Sequence, residues 1–357
     1  MKTKNLFMFA AAVGIMTFAS CKKDESPAPL TKIEAEAALT STDSKYATVT
    51  ETLDASTEVA VMNAVSGLNI PFGTPTKSSA NIKSFQKDLM NSIKPSSVKG
   101  GGDMIDPMNY FDFNTWKGTW SNTTGTWTQT LTTPVDKVVF LFSYDTGTDN
   151  GSLTYSGYEE KTYTSTPYIS KLTATMSIGV TVIASWNYTA TMSSDKNFDV
   201  KYVFNLGKFT KTEVSSIKTT LSQAGVTTNA TMLYELKMDG NVVISKSANA
   251  TMIIPSQGIF TLNVTANFRV GDIIVNYIIR KDQTTNTQGD PSNYLTITVW
   301  TTGGAKVADV IFVQGDGYEA YFKFIDGTTA LVESYPNFYI FRVFADELES
   351  LGSPMPA

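Results

Sequence analysis

The stretch Phe260-Thr261-Leu262-Asn263-Val264-Thr265-Ala266-Asn267-Phe268-Arg269 alternates strictly between apolar and polar residues. A period of two places one set of side chains on each face of a β-strand, one face buried and the other solvated. The same alternation runs through Phe198 to Phe204, with Val200 and Tyr202 between them. It recurs from Val182 to Ala190, through Ala184, Trp186 and Tyr188. The solvated set is rich in Thr and Asn, and β-branched Thr suits an exposed strand surface. Short Gly-containing connections join such runs at Asp239-Gly240, Gly271-Asp272, Gly303-Gly304 and Gly315-Asp316-Gly317. These are hairpin signals. The reading is mainly β, an antiparallel meander forming either a β-sandwich or an open, strongly curved half-barrel. Leu172–Met192 and Tyr234–Met252 share a weak repeat, with Met176 aligned on Met238 and Val182 on Ile244.

Outward from this body the texture changes. Residues 31–102 read as a small helical segment closed by a flexible Gly100-Gly101-Gly102 joint, leaving 103–357 as the β domain. Ile33–Leu39 is rich in Ala and Glu. Ser44–Leu68 carries an apolar stripe through Val49, Leu53, Val59, Val61, Met62 and Val65. Ile82, Phe85, Leu89 and Ile93 mark one helix face. Thr212–Ala224 is also expected to be helical, with Val214, Ile217 and Leu221 at spacings of three and four and Gly225 as its stop. Phe344–Leu351 suggests a short terminal helix.

Composition excludes several chemistries. The 357 residues include one cysteine and no histidine, and the net charge is −5. Nucleophile systems that need an imidazole base are absent, as are the usual zinc sites. At a sequence pI near 5.0, a basic nucleic-acid surface is not expected. No phosphate loop, dinucleotide fingerprint or nucleophile elbow is present. No cofactor and no metal is therefore expected. Asp145-Thr146-Gly147-Thr148-Asp149-Asn150-Gly151 could offer oxygens to calcium but lacks the required spacing and closing Glu, so it reads as a polar hairpin loop. Asp309, Asp316, Glu319, Asp326 and Glu333 lie close together in sequence and are the carboxylate candidates for acid–base chemistry. Asp316 and Asp326 read as turn residues.

Residues 1–20 read as a secretory signal, with Lys2 and Lys4 ahead of the apolar run Leu6–Met16. Phe18-Ala19-Ser20-Cys21 resembles the lipobox of bacterial lipoproteins, which implies cleavage before Cys21 and acylation of its thiol. Lys22-Lys23-Asp24-Glu25 resembles the surface-export signal of Bacteroidota lipoproteins. The resemblance implies an outer-membrane protein, lipid-anchored and facing the cell exterior. Residues 21–30 form a tether, and 22–30 reach roughly 30 Å at about 3.3–3.6 Å per residue.

Three functions fit. The first is a non-enzymatic binding or adhesion module for glycan or another surface polymer. Trp116, Trp120 and Trp127, with Tyr294, Trp300 and Tyr321, are its candidate stacking residues. The second is a carrier for a hydrophobic ligand, since a half-barrel with helices on its concave side resembles lipoprotein carriers. The third is a hydrolase that uses carboxylates alone.

Overall fold

The structure, a computed structural model, describes residues 27–66, 117–121, 123–129, 136–163, 166–194, 197–282, 284–285, 289–315 and 317–335. The signal segment, Cys21, the predicted helices at 82–93 and 344–351, the triple-glycine joint, Trp116 and Asp316 lie outside them.

Two helices come first, α1 (Lys32–Asp54) and α2 (Thr57–Ser66). Thr31 and Glu34 form a reciprocal capping box at the start of α1. Ala35, Leu39, Thr42, Val49 and Leu53 are buried and Tyr46 is half-buried. Their spacing of four and three draws one stripe along the helix. The two segments read from sequence as 33–39 and 44–68 are thus one long helix followed by a short one.

Sixteen strands follow. They are β1 (Gly118–Ser121), β2 (Thr126–Gln129), β3 (Lys137–Phe142) and β4 (Gly151–Tyr163). Next come β5 (Thr166–Ile178), β6 (Thr181–Ser194), β7 (Asn197–Leu206) and β8 (Phe209–Ser222). Then come β9 (Gly225–Met238), β10 (Asn241–Pro255), β11 (Thr261–Val270) and β12 (Ile273–Asp282). The last are β13 (Leu295–Thr301), β14 (Lys306–Gln314), β15 (Tyr318–Lys323) and β16 (Thr329–Leu331). All belong to one sheet, in which β3 to β16 lie side by side in chain order and β1 and β2 extend the β3 edge. Every pair is antiparallel except β1 with β3. The sheet is open, so of the two predicted architectures the molecule takes the single-sheet one.

Alternation decides which face is buried. In β11, Leu262, Val264, Ala266, Phe268 and Val270 are buried, while Asn263, Thr265 and Asn267 are exposed. The buried set of successive strands forms one inner face, and the stripe of α1 joins the same core. On the outer face, Thr and Asn bridge neighbouring strands: Thr173 Oγ1 donates to Asn187 Oδ1 (3.1 Å), and Thr251 Oγ1 to Asn229 Oδ1 (2.9 Å).

The helices cross the inner face at one end of the strands. Leu30 N–H donates to the Lys306 carbonyl (2.9 Å). Lys45 Nζ lies 2.5 Å from Asp272 in the β11–β12 turn, and Glu58 lies against Gly207 in the β7–β8 turn. A 23-residue helix is about 35 Å long, enough to cross about seven strands at about 4.8 Å each.

The predicted helix over 212–224 is overturned: these residues are β8 and its turn into β9. Val214, Ile217 and Leu221 fit a helix face, but in the strand Val214 points outward while Ile217 and Leu221 share the inner parity. The β-branched Thr210, Thr212, Thr219 and Thr220 favour the strand. Gly225 is not a helix stop but the first residue of β9. Its φ of +132° and its contact with the Ile254 carbonyl leave no room for a Cβ.

The weak repeat corresponds to two hairpins, β5–β6 and β9–β10. Each has a register shift just after the turn, at Ile183 and at Val243. The bulged carbonyls accept from the Gly207 and Gly271 N–H groups (3.2 and 3.0 Å) of the next turns. Structurally Ala184 matches Ile244, two residues away from the sequence alignment. A shift of two preserves the faces, so alternation alone could not detect it.

Candidate functional site

The inner face of β8, β9 and β10 changes character along its length. At the helix-covered end, Phe209, Lys211, Leu236, Ile244 and Lys246 are buried. Midway it mixes small and larger side chains, with Ser215, Met232 and Ala248 in one cross-strand row and Ile217, Ala230 and Ala250 in the next. At the other end, Leu221 is 74% exposed and Ile254 45% exposed. On the flanking strands, β7 keeps Val200 buried opposite Ser215, and β11 keeps Leu262 buried opposite Met252, near that same end. The result is a half-buried strip, or trough, along β8–β10, flanked by β7 and β11, with Met232 and Ile217 among its small residues, and ending at an apolar rim.

The closed end of the trough is polar. Register places Tyr202 opposite Glu213, Glu213 opposite Tyr234, Tyr234 opposite Lys246, and Lys246 opposite Phe268. Lys211 Nζ is 2.6 Å from Glu213 Oε1 and 5.3 Å from the centre of the Tyr234 ring. Lys246 Nζ is 5.7 Å from the Phe268 ring. Such cation–ring contacts help hold ammonium groups away from water. Burial lowers the Lys211 pKa, and the Glu213 carboxylate partly offsets that. Burial and the nearby Glu213 charge raise the Tyr234 hydroxyl well above its ordinary value, with Tyr46 of α1 adding to the effect. That hydroxyl is buried with no hydrogen-bond partner among the described residues, and so is the Trp186 indole N–H. A buried polar hydrogen without an acceptor is costly.

The sequence-predicted residues sit elsewhere. Trp120 and Trp127 are cross-strand partners in the β1–β2 hairpin. Tyr294, a candidate stacking residue, is not available on the surface: it is buried, 5% exposed, beneath Lys281 (4.7 Å). It follows a 3₁₀ turn, Pro291–Asn293, so the parity of β13 does not extend back to it. Trp300 is half-buried on the outer face, its indole N–H donating to Thr298 Oγ1 (2.9 Å). Tyr321 is also half-buried there, its hydroxyl donating to Glu319 (2.8 Å). Two strands and about four residues separate them, roughly 16 Å, too far for one stacking platform.

The carboxylates are dispersed as well. Asp309 pairs with Lys306 (2.8 Å). Glu319 lies one strand away and four residues along, about 14 Å from Asp309 and beyond the separation of paired catalytic carboxyls. Asp326 accepts from Thr328 in its own turn (2.9 Å from the backbone N–H), as the Asp-Gly reading anticipates. Glu333 lies in a 3₁₀ turn, Val332–Ser334. In the 145–151 loop, Asp149 accepts from Ser121 and Thr123. Asn150 bonds the Tyr144 N–H and carbonyl (2.7 and 2.9 Å). Among the described residues no group of three or more acidic, Cys or His side chains could hold a metal ion. No described helix is long and apolar enough to cross a membrane.

Sequence reading missed Lys211, Glu213, Tyr234 and Lys246. The available signal was charge placed in the apolar phase of strands, Phe209-x-Lys211-x-Glu213 and Ile244-x-Lys246-x-Ala248. No family model, no curated protein and no solved structure matches the chain, and the functional reading rests on the trough.

Proposed function

We propose that this chain is a lipid-anchored outer-membrane protein that binds an amphiphilic molecule in the trough. The ligand's polar group meets Tyr234, Lys211, Glu213 and Lys246, and its apolar body lies over Ser215, Ala230, Ala248 and Ala250 toward the rim. The observation that carries this reading is the gradient along β8–β10, from buried lysines to exposed Leu221 and Ile254. Ligand sites are largely apolar with a few placed polar groups. The role is binding and presentation, with no reaction assigned. Attachment through Cys21 and exposure at the cell surface are supported by the 18–25 sequence.

Native mass spectrometry of the chain from residue 21 onward, purified from its host without detergent, tests the reading. A reproducible extra mass that extracts into organic solvent is expected, and Ala248→Phe with Ala250→Phe should displace it. A protein that stays free of such a mass, even after incubation with fatty acids, lysolipids and sterols, overturns it.

A second reading, glycan binding on the outer face, is favoured by Trp300 on a surface of Thr296, Thr298 and Asn276. Trp300→Ala would then abolish polysaccharide retention in affinity electrophoresis.

A further inference from the structure

The rim of the trough is built from two connections that are far apart in sequence. One is the β8–β9 turn, the other the β10–β11 loop. Ser256 ties them together, its N–H donating to the Ala224 carbonyl (3.0 Å) and its hydroxyl to the Gln223 carbonyl (3.0 Å). Leu221 stands opposite Val226, and Val226 opposite Ile254. Leu221 is 74% exposed and Ile254 is exposed on the same inner face, while Ile253 is exposed on the outer face of the same strand end and Ile259 in the β10–β11 loop. Residues 219–234 and 247–268 contain no charged side chain. Over the tips, 219–226 and 253–259, there is no Trp, Tyr or Arg, the residues that anchor protein–protein interfaces.

From these features we infer that the rim is a membrane-docking surface, inserting Leu221, Ile253, Ile254 and Ile259 shallowly into a neutral lipid surface. This rests on the amphiphile-binding reading, because the rim is the mouth of that trough. A tied pair of apolar loops without charge fits the headgroup–acyl boundary of a bilayer, where apolar area and not ionic attraction sets the binding. Docked there, the trough opens directly onto the phase that holds amphiphiles. The geometry also sets direction. Pro27 lies against Gly304 at the helix-covered end, and strands of 14 and 15 residues carry the rim about 45 Å away from it. Residues 21–26 add at most about 20 Å of reach. With the strands upright on the anchoring membrane, the rim points away from that membrane, toward lipid presented from outside it.

The test is vesicle flotation of the chain from residue 21 with Cys21→Ser, so that no acyl chain contributes. Vesicles of phosphatidylcholine alone and vesicles with added phosphatidylglycerol are compared at low and high salt. Equal, salt-insensitive binding to both is expected. Ile253→Asp with Ile259→Asp should lower the partition at least tenfold, at unchanged thermal unfolding and unchanged binding of a fluorescent fatty acid in solution. Leu221→Phe with Ile259→Trp should raise the partition. No binding to phosphatidylcholine, binding only to anionic vesicles, or a partition indifferent to both double variants overturns the inference. So does a concentration-dependent dimer that the aspartate pair dissolves, since the rim would then pair with itself. Loss of fatty-acid binding by the wild type would instead count against the trough reading.

Discussion

Lys211 and Glu213 stand two residues apart on one strand, on the same face, with Nζ and Oε1 2.6 Å apart. Their neighbours turn that pair into a sensitive element. Glu213→Ala takes the carboxylate away from a buried ammonium and should destabilise the fold by about 3–5 kcal/mol. Lys211→Met with Glu213→Leu should return to wild-type stability or exceed it. The sign of the pH effect follows from the lowered Lys211 pKa. Between that depressed value and 10.5, the unfolded chain binds more protons, so stability rises with pH across that window. Urea unfolding of the wild type and the double variant over this range checks it, because the rise should vanish in the variant.

Tyr234→Phe separates folding from binding. It removes a buried hydroxyl that has no hydrogen-bond partner among the described residues, so stability should be unchanged or higher by up to about 1 kcal/mol. If that hydroxyl serves the ligand's polar group, affinity for the amphiphile should fall about tenfold in the same protein, as isothermal calorimetry would show.

Docking of α1 on the sheet is apolar rather than ionic. Leu39 is fully buried, and Leu39→Ala should cost about 2–5 kcal/mol. The Lys45–Asp272 pair is half exposed on both sides, and Lys45→Ala should cost less than about 1 kcal/mol. Equal effects in denaturant unfolding would refute the distinction.

Gly225 holds β9 against the end of β10. A Cβ there would lie 2.3 Å from the Ile254 carbonyl oxygen. Gly225→Ala should destabilise by at least about 2 kcal/mol through strain and displaced backbone, and it should raise protease cutting at 222–226.

Acid should loosen the turns first. Hydrogen bonds from Thr284, Ser292 and Thr328 hold Asp282, Asp290 and Asp326 below their ordinary value of 3.8. Their contribution is complete above that value and is lost as pH falls through the lowered ones. Replacing all three with Asn should flatten the loss of stability below about pH 4 in thermal scans.

Strands and turns were legible because alternation and Asp-Gly or Gly-Gly pairs are local signals. β8 was not, because Val214, Ile217 and Leu221 satisfy helical spacing while splitting between two strand faces. Tyr294 was misplaced because a 3₁₀ turn resets the parity that β13 defines. The polar end of the trough was unreadable for a different reason. It needs Tyr202, Glu213, Tyr234 and Lys246 from four strands in one cross-strand row, and only register supplies that. The rim was hidden likewise, because Ser256 joins loops that sequence keeps apart.

From β3 to β16 each strand pairs with its chain neighbours, so the sheet has low contact order and can grow hairpin by hairpin. The helices are the opposite case. Lys45 meets Asp272 across 227 residues, although α1 is synthesised first. During synthesis α1 and α2 therefore emerge before any surface exists to receive them, and α1 completes its docking only once β14 is in place. The closed end of the trough is therefore completed late, by a clasp that joins the first-made element to strands made more than two hundred residues later.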